Sequence, residues 1–80
     1  MRRYYFDLRD DNGLFVDDDG LECRDMQVVQ MEAARSLADM ARDAVHAATS
    51  TPSHAMSIEV RDDAGPVLLV RFTFEISLPL

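Results

Sequence analysis

Acidic side chains crowd the segment DDNGLFVDDDG at residues 10–20, and carboxylates at this density could bind a divalent cation. An EF-hand loop needs oxygen ligands at its positions 1, 3 and 5, glycine at 6 and an acidic residue at 12. Placing either glycine of the segment at position 6 puts an apolar residue at position 1, so neither register fits. A weaker hypothesis remains, in which Asp11, Asp17 and Asp19 share one divalent ion. The alternative is that these aspartates stabilise turns, where Asp is favoured.

Other residues that could bind metal or act as nucleophiles are sparse. His46 and His54 are separated by a loop, and Cys23 is too far along the chain to be their third metal ligand. Cys23 precedes a helix whose dipole would lower the pKa of the thiol, but nearby acidic residues act in the opposite direction. We therefore expect an ordinary, half-buried cysteine. No Ser-His-Asp set can be selected from the spacing, so we expect no enzymatic activity, no catalytic residue and no cofactor.

Charge and length narrow the class of protein. The 80 residues allow one domain, residues 1–80, with a net charge of −7. All basic residues are Arg, and the absence of Lys excludes a lysine Schiff base and a P-loop. An acidic surface repels phosphate backbones and anionic membranes, so we expect neither a DNA nor a membrane partner. A single cysteine, no leader peptide and no long apolar run predict a cytoplasmic protein.

Two stretches of the sequence are nearly the same: LRDDNGLFV at 8–16 and VRDDAGPVLLV at 60–70. Each lies between runs in which apolar and polar residues alternate, and such alternation predicts β-strands. Asp accepts hydrogen bonds from nearby amides in turns, and Gly takes left-handed backbone conformations that strain other residues. Asn-Gly is a further hairpin signal because both residues tolerate positive φ. The sequence therefore predicts one hairpin over 3–18 and a second over 56–78.

Between the hairpins the apolar residues recur at helical spacing, after a brief extended segment, LECR at 21–24. This pattern predicts a helix over 25–48, with Asp25 as its N-cap and Pro52 beyond its end. Arg35 and Asp39 are expected to pair on its solvent face. The buried stripe is predicted to contain Met26, Val29, Ala33, Leu37, Met40, Ala41, Ala44, Val45 and Ala48.

These elements predict a two-layer α+β sandwich of the order ββαββ, in which one antiparallel-rich sheet packs on one amphipathic helix. The last alternating run, 67–78, is about twice as long as its predicted partner, 57–62. Its second half must then pair with the first strand or with another copy of the chain, because an unpaired apolar edge promotes aggregation. We therefore expect a homodimer that shares a sheet edge or a sheet face.

The sheet face that points away from the helix is the best candidate for a binding surface. Arg and Tyr are enriched at the residues that dominate binding energies. Arg beside an aromatic ring can also stack on single-stranded RNA bases, although the negative net charge opposes RNA binding. The candidate residues on this face are Arg3, Tyr5, Arg9, Val67, Leu69 and Arg71.

Several segments resemble a bacterial family of small uncharacterised proteins, the DUF6894 family. They are RYYFDLRD, DDDGLE, RDM, the Ala-rich helix and IEVRDDAGPVLLVRFTF. The resemblance implies a stand-alone cytoplasmic α+β protein and no particular activity. Residues 3–48 are more distantly similar to antitoxins of the HicB type.

The favoured interpretation is a non-enzymatic, acidic protein-interaction module that associates with itself and that a partner protein could also bind. Its acidic, Lys-free surface would steer a basic partner by electrostatic complementarity. The first alternative is a binder of a divalent ion or small ligand at the acidic segment 10–20. A further alternative is an antitoxin-like or single-stranded RNA-binding module.

Overall fold

A computed structural model describes residues 1–47 and 53–75 of the chain. One helix packs on an antiparallel sheet of five strands, so the predicted α+β class is confirmed. The fifth strand is β3, which forms in the brief extended segment before the helix. The elements in chain order are β1 (Arg2–Asp10), β2 (Gly13–Phe15), β3 (Leu21–Cys23), α1 (Met26–Ala47), β4 (Ser53–Asp62) and β5 (Gly65–Glu75).

The strand order is β2-β1-β4-β5, with every pair antiparallel. The short strands β2 and β3 pair with opposite ends of β1, at residues 8–10 and 2–4 respectively. Residues 5–7 of β1 pair with β4 but with neither short strand. In this gap, backbone groups of β1 have no strand partner on one side. They need other hydrogen-bond partners, because an unpaired backbone amide costs free energy where water is excluded.

The pairing of β4 with β5 corrects the predicted strand lengths. β4 begins at Ser53 rather than at residue 56 or 57, and it pairs with β5 from Ser53↔Glu75 to Asp62↔Gly65. The inference that half of β5 must pair with the first strand or with another copy is therefore wrong. The first residues of β4 are polar and follow Pro52, a pattern that is typical of a loop. They form a strand because the long alternating strand β5 offers them backbone hydrogen-bond partners. The predicted strand residues 76–78 and helix residue Ala48 lie outside the described residues.

The two similar motifs form the same turn, as predicted. In the first, the Asp10 carboxylate accepts a hydrogen bond from the Asn12 amide at 2.8 Å, and Gly13 has a φ of 133°. In the second, Asp62 accepts from the Ala64 amide at 2.8 Å, and the following glycine has a φ of 131°. Among the described residues only glycines have positive φ, so Asn12 does not use the freedom expected of it.

Helix α1 begins as its sequence predicts, and its predicted apolar stripe packs on the core except at Met26, while the side chains of Val45 and Ala48 lie outside the described part of the chain. The Asp25 carboxylate accepts a hydrogen bond from the Val28 amide at 3.0 Å, which confirms the N-cap. Val29, Ala33 and Leu37 are buried against the sheet, whereas the first residue of the predicted stripe, Met26, is 39% exposed. The core contains Tyr4, Cys23, Val29, Ala33, Leu37, Met56, Ile58 and Val60.

The solvent face of α1 forms different ion pairs from the one predicted. Arg35 pairs with Glu32 at 3.0 Å, and Asp39 pairs with Arg42 at 3.3 Å, both at a spacing of three residues. The expected Arg35–Asp39 pair is therefore replaced by two pairs one turn apart. Exposed pairs of this kind contribute little to stability. No described helix has the length and apolar character needed to cross a membrane.

Candidate functional site

The face of the sheet opposite α1, called the outer face below, contains all six predicted interaction residues. Tyr4, Ile58 and Val60 are buried toward the helix, and side chains alternate along a strand, so their sequence neighbours point outward. The strand register then divides the outer face into two regions. One holds the loop 16–20 against the sheet, and the other is open. The outward residues are Arg3, Tyr5, Asp7, Arg9, Ser57, Glu59, Arg61, Val67, Leu69 and Arg71.

Asp7, Asp17 and Arg61 form the first region, called the aspartate–arginine cluster. Asp7 is only 8% exposed, and its carboxylate accepts from Arg61 Nε at 2.9 Å and from the Asp17 amide at 2.9 Å. Arg61 Nη2 also donates to the Asp17 carbonyl at 3.0 Å. The hydrogen bond to Asp7 raises the pKa of Arg61. A carboxylate this deeply covered needs such partners, because an unpaired buried charge is strongly destabilising.

The Asp17 side chain fills the gap between β2 and β3. One carboxylate oxygen accepts from the Phe6 amide at 3.1 Å, and the other accepts from the Asp19 and Gly20 amides at 3.1 and 3.2 Å. Burial acts to raise the pKa of Asp17, but these backbone hydrogen bonds and the charge of Arg61 outweigh it and lower that pKa. Asp17 thus replaces a strand partner for β1 and closes the loop.

Arg3 and Tyr5 also hold this loop in place. Arg3 Nη1 donates to the Asp19 carbonyl at 2.8 Å, and the Arg61 guanidinium lies 4.6 Å from the centre of the Tyr5 ring. Gly20 has a φ of 74°, and a Cβ there would lie 2.8 Å from Arg3 Cγ and 2.9 Å from Tyr5 Cε1. These two predicted interaction residues therefore cover the backbone of the loop as well as facing solvent.

The second region contains Arg9, Ser57 and Arg71, which the register aligns in one row across β1, β4 and β5. Two shallow hollows, each of about 290 Å³, share these three residues. Both arginines are exposed, and neither makes an ion pair with any described residue. Leu14, Glu59 and Leu69 line one of the hollows. The open part of the outer face therefore offers two uncommitted positive charges beside apolar side chains.

Leu14 on β2 is an exposed apolar residue of the outer face, as are Val67 and Leu69 on β5. The side chains of Val67 and Leu69 are 37% and 48% exposed. Phe72, on the opposite face of the same strand, is 39% exposed. Within residues 1–47 and 53–75, β5 pairs only with β4, so one backbone edge of the strand is open.

The residues proposed for metal binding and thiol chemistry have other surroundings. No group of three or more His, Cys, Asp or Glu side chains in the described part of the chain could hold a metal ion. Both carboxylate oxygens of Asp17 already accept backbone hydrogen bonds. Cys23 is buried rather than half-buried, and burial, followed by Glu32 and Asp25, raises the pKa of its thiol. The side chains of His46 and His54 lie outside the part of the chain that the structure describes.

Sequence reasoning missed Asp7, Ser57 and Arg61 as important outer-face residues. Period-two alternation places each on the outward side of its own strand, and this was the available signal. The alignment of β1 with β4 was not predictable, and without it the buried Asp7–Arg61 contact could not be inferred. The alternation of residues along a strand also gives no information about the loop that covers Asp7.

Comparison with known proteins identifies a family. The model of a family described as a domain of unknown function, DUF6894, matches residues 3–73. This range begins in β1 and ends near the end of β5, so it covers nearly all of the fold. No curated protein and no solved structure matches the chain.

Proposed function

The chain belongs to the DUF6894 family, and we propose that it is a non-enzymatic, acidic protein-interaction module that associates with a second copy of itself through the open edge of β5. The observation that carries this proposal is that one edge of the 11-residue strand β5 has no strand partner within residues 1–47 and 53–75. Such an edge presents a row of backbone N–H and C=O groups that another strand can bind.

The edge of β5 has few features that would prevent strand pairing. Proteins usually protect edge strands with charged side chains, prolines, bulges or short length. β5 contains one proline, Pro66, close to its first residue, and the register shift in its hairpin lies at the same end, between Val60 and Arg61. From Leu68 onward the strand pairs without a further shift and exposes Leu69 and Phe72, and Val67, which the register shift leaves out of the pairing, is also exposed.

Charge favours β5 over the other sheet edge as the contact between two copies. A net charge of −7 makes identical copies repel one another over most of their surfaces. β5 contains one arginine and one glutamate, so the strand itself is neutral. The opposite edge, formed by β2 and β3, is flanked by the acidic segment 17–19 and contains Glu22. Repulsion between two copies is therefore smaller at the β5 edge than at the edge formed by β2 and β3.

A two-fold axis perpendicular to the sheet would align the two β5 strands antiparallel to each other. The outer face of one copy would then continue into the outer face of the other, because this rotation does not exchange the faces. Leu69 would lie beside outward residues of the second strand and lose part of its exposure. Burial of such apolar surface favours association by about 25 cal/mol per Å².

Leu69→Lys tests the proposal, with Met31→Lys as the matched control. Both variants replace an apolar residue with the same cation and change the net charge of each copy equally. Met31 is 65% exposed on α1, so its replacement disturbs no described packing. Sedimentation velocity over a range of concentrations measures the dimerisation constant of each protein.

We expect wild type and the Met31 variant to dimerise with similar constants. A lysine on an edge strand opposes strand pairing, so Leu69→Lys should weaken dimerisation by about tenfold or more. A wild-type protein that is monomeric at high micromolar concentration would contradict the proposal. Equal dimerisation of the two variants would also contradict it, because the contact would then lie elsewhere.

A further inference from the structure

We infer that Arg9, Ser57 and Arg71 form a binding site for an oxyanion, a carboxylate or phosphate group, on the outer face. The inference does not require self-association, because the two arginines and the serine lie on the sheet face, although Leu69 belongs both to the wall of this site and to the proposed dimer contact. It begins from a difference among the arginines of the chain. Six of the eight have a carboxylate oxygen within 4.0 Å, namely Arg2, Arg3, Arg24, Arg35, Arg42 and Arg61.

Arg9 and Arg71 are the exceptions among the described residues. In a chain with fifteen acidic side chains, two guanidinium groups without an acidic partner on the same face are unexpected. Arg71 lies on the edge strand β5, and Arg9 lies on β1, two strands away. An arginine that no internal carboxylate binds keeps its hydrogen-bond donors available for an external anion.

The strand register places these donors in one row across the outer face. Arg9 pairs with Ser57 across β1 and β4, and Ser57 pairs with Arg71 across β4 and β5. Adjacent strands lie about 4.8 Å apart, so the two arginine backbones are separated by about 10 Å. The Ser57 hydroxyl lies between them on the same face. Two long cationic side chains and a central hydroxyl can together surround a single anionic group.

The space beside the row is open and is bounded by residues that define its chemistry. The hollow on one side is lined by Leu14 and Leu69, which provide apolar walls for the uncharged part of a ligand. Asp7 also lines it, but its carboxylate is bound by Arg61 and the Asp17 amide. Glu59 is the remaining carboxylate there, and its charge disfavours ligands with several negative groups.

The site therefore fits a small molecule with one oxyanion and an apolar portion. Bidentate hydrogen bonds from arginine suit both carboxylate and phosphate, so geometry alone does not choose between them. Inorganic phosphate and acetate are the two probes, each titrated at constant ionic strength. Amide and arginine Nε resonances of ¹⁵N-labelled protein report the position of binding.

Two double variants that change the net charge equally distinguish binding at this site from a general effect of protein charge on anion binding. Arg9→Gln with Arg71→Gln removes both free guanidinium groups and breaks no described ion pair. Arg35→Gln with Arg42→Gln removes the same charge from the exposed face of α1. The amide spectrum of each variant verifies that the fold is unchanged.

We expect saturable shifts at residues 9, 57 and 71 with at least one probe, and the tighter probe identifies the class of anion. The first double variant should weaken binding by about tenfold or more, and the second should change it less than about twofold. Ser57→Ala should weaken binding to an intermediate extent. Absence of saturation with both probes, or an equal loss in both double variants, would overturn the inference.

Discussion

Replacement of Asp17 by Asn is expected to destabilise the protein more than its position in an acidic turn suggests. The carboxylate accepts three backbone hydrogen bonds, from Phe6, Asp19 and Gly20. Asn has a single side-chain oxygen, so its NH₂ group must face one of these amides. Orienting the oxygen toward the loop amides would place the NH₂ group against the Phe6 amide, in the gap that neither β2 nor β3 fills.

The size of the effect follows from the hydrogen bonds that are lost. A hydrogen bond to a charged group contributes about 1.5–3 kcal/mol, and the partial exposure of Asp17 favours the lower part of that range. We therefore expect Asp17→Asn to lower the free energy of unfolding by about 2 kcal/mol. For a domain of this size, the corresponding decrease in Tm is about 8–16 °C.

Asp18→Asn is the matched control, since Asp18 is exposed and makes no described hydrogen bond. It should change the free energy of unfolding by less than about 0.5 kcal/mol. Urea unfolding monitored by circular dichroism gives both values. Equal unfolding midpoints for the two variants would refute the role assigned to Asp17.

The same reasoning predicts a pH dependence. The pKa of Asp17 is lower in the folded state than its ordinary value, so ionised Asp17 stabilises the fold above that ordinary value. This contribution is lost as pH falls through the lowered pKa. The difference in stability between wild type and Asp17→Asn should therefore be largest near neutral pH and shrink in acid.

Two further predictions concern the loop and the cysteine. Gly20→Ala places a side chain at a φ of 74° and against Arg3 and Tyr5, so we expect it to lower the free energy of unfolding by about 2 kcal/mol. In urea unfolding, Gly20→Ala should cost less free energy in an Arg3→Ala background than in wild type, and an equal cost in both backgrounds would contradict the steric explanation. Cys23 is 2% exposed and its pKa is raised, so a thiol reagent should modify the folded protein at least about tenfold more slowly than the unfolded protein. Equal modification rates would show that Cys23 is accessible.

Local sequence patterns predicted the elements of this fold because those elements depend on neighbouring residues. The helix followed from apolar spacing and from Asp25 at its start. Both turns followed from the Asp and Gly of the repeated motif, whose hydrogen bonds have the same length of 2.8 Å. The start of β4 was not predictable in this way, because Ser53 becomes part of a strand only through its pairing with Glu75 on β5.

The candidate site was predictable only to the level of a face. Alternation placed Arg9 and Arg71 on the outer face, but their common row with Ser57 depends on two strand registers that are set by tertiary pairing. The covering of Asp7 depends on a loop whose path is fixed by the backbone hydrogen bonds that the Asp17 carboxylate accepts. Interactions between distant segments, rather than residue preferences, therefore separate the covered part of the outer face from the open part.

Backbone hydrogen exchange along β5 tests the central claim, pairing of this strand with a second copy, most directly. Alternate residues of the strand direct their N–H groups toward β4 and away from it. We predict that the amides of residues 67–75 that point away from β4 become protected as protein concentration rises through the dimerisation constant, while those that point toward β4 are protected throughout. If the amides that point away from β4 exchange freely at every concentration, β5 is not the edge that pairs. Concentration-dependent protection along β2 and β3 instead would give the same answer.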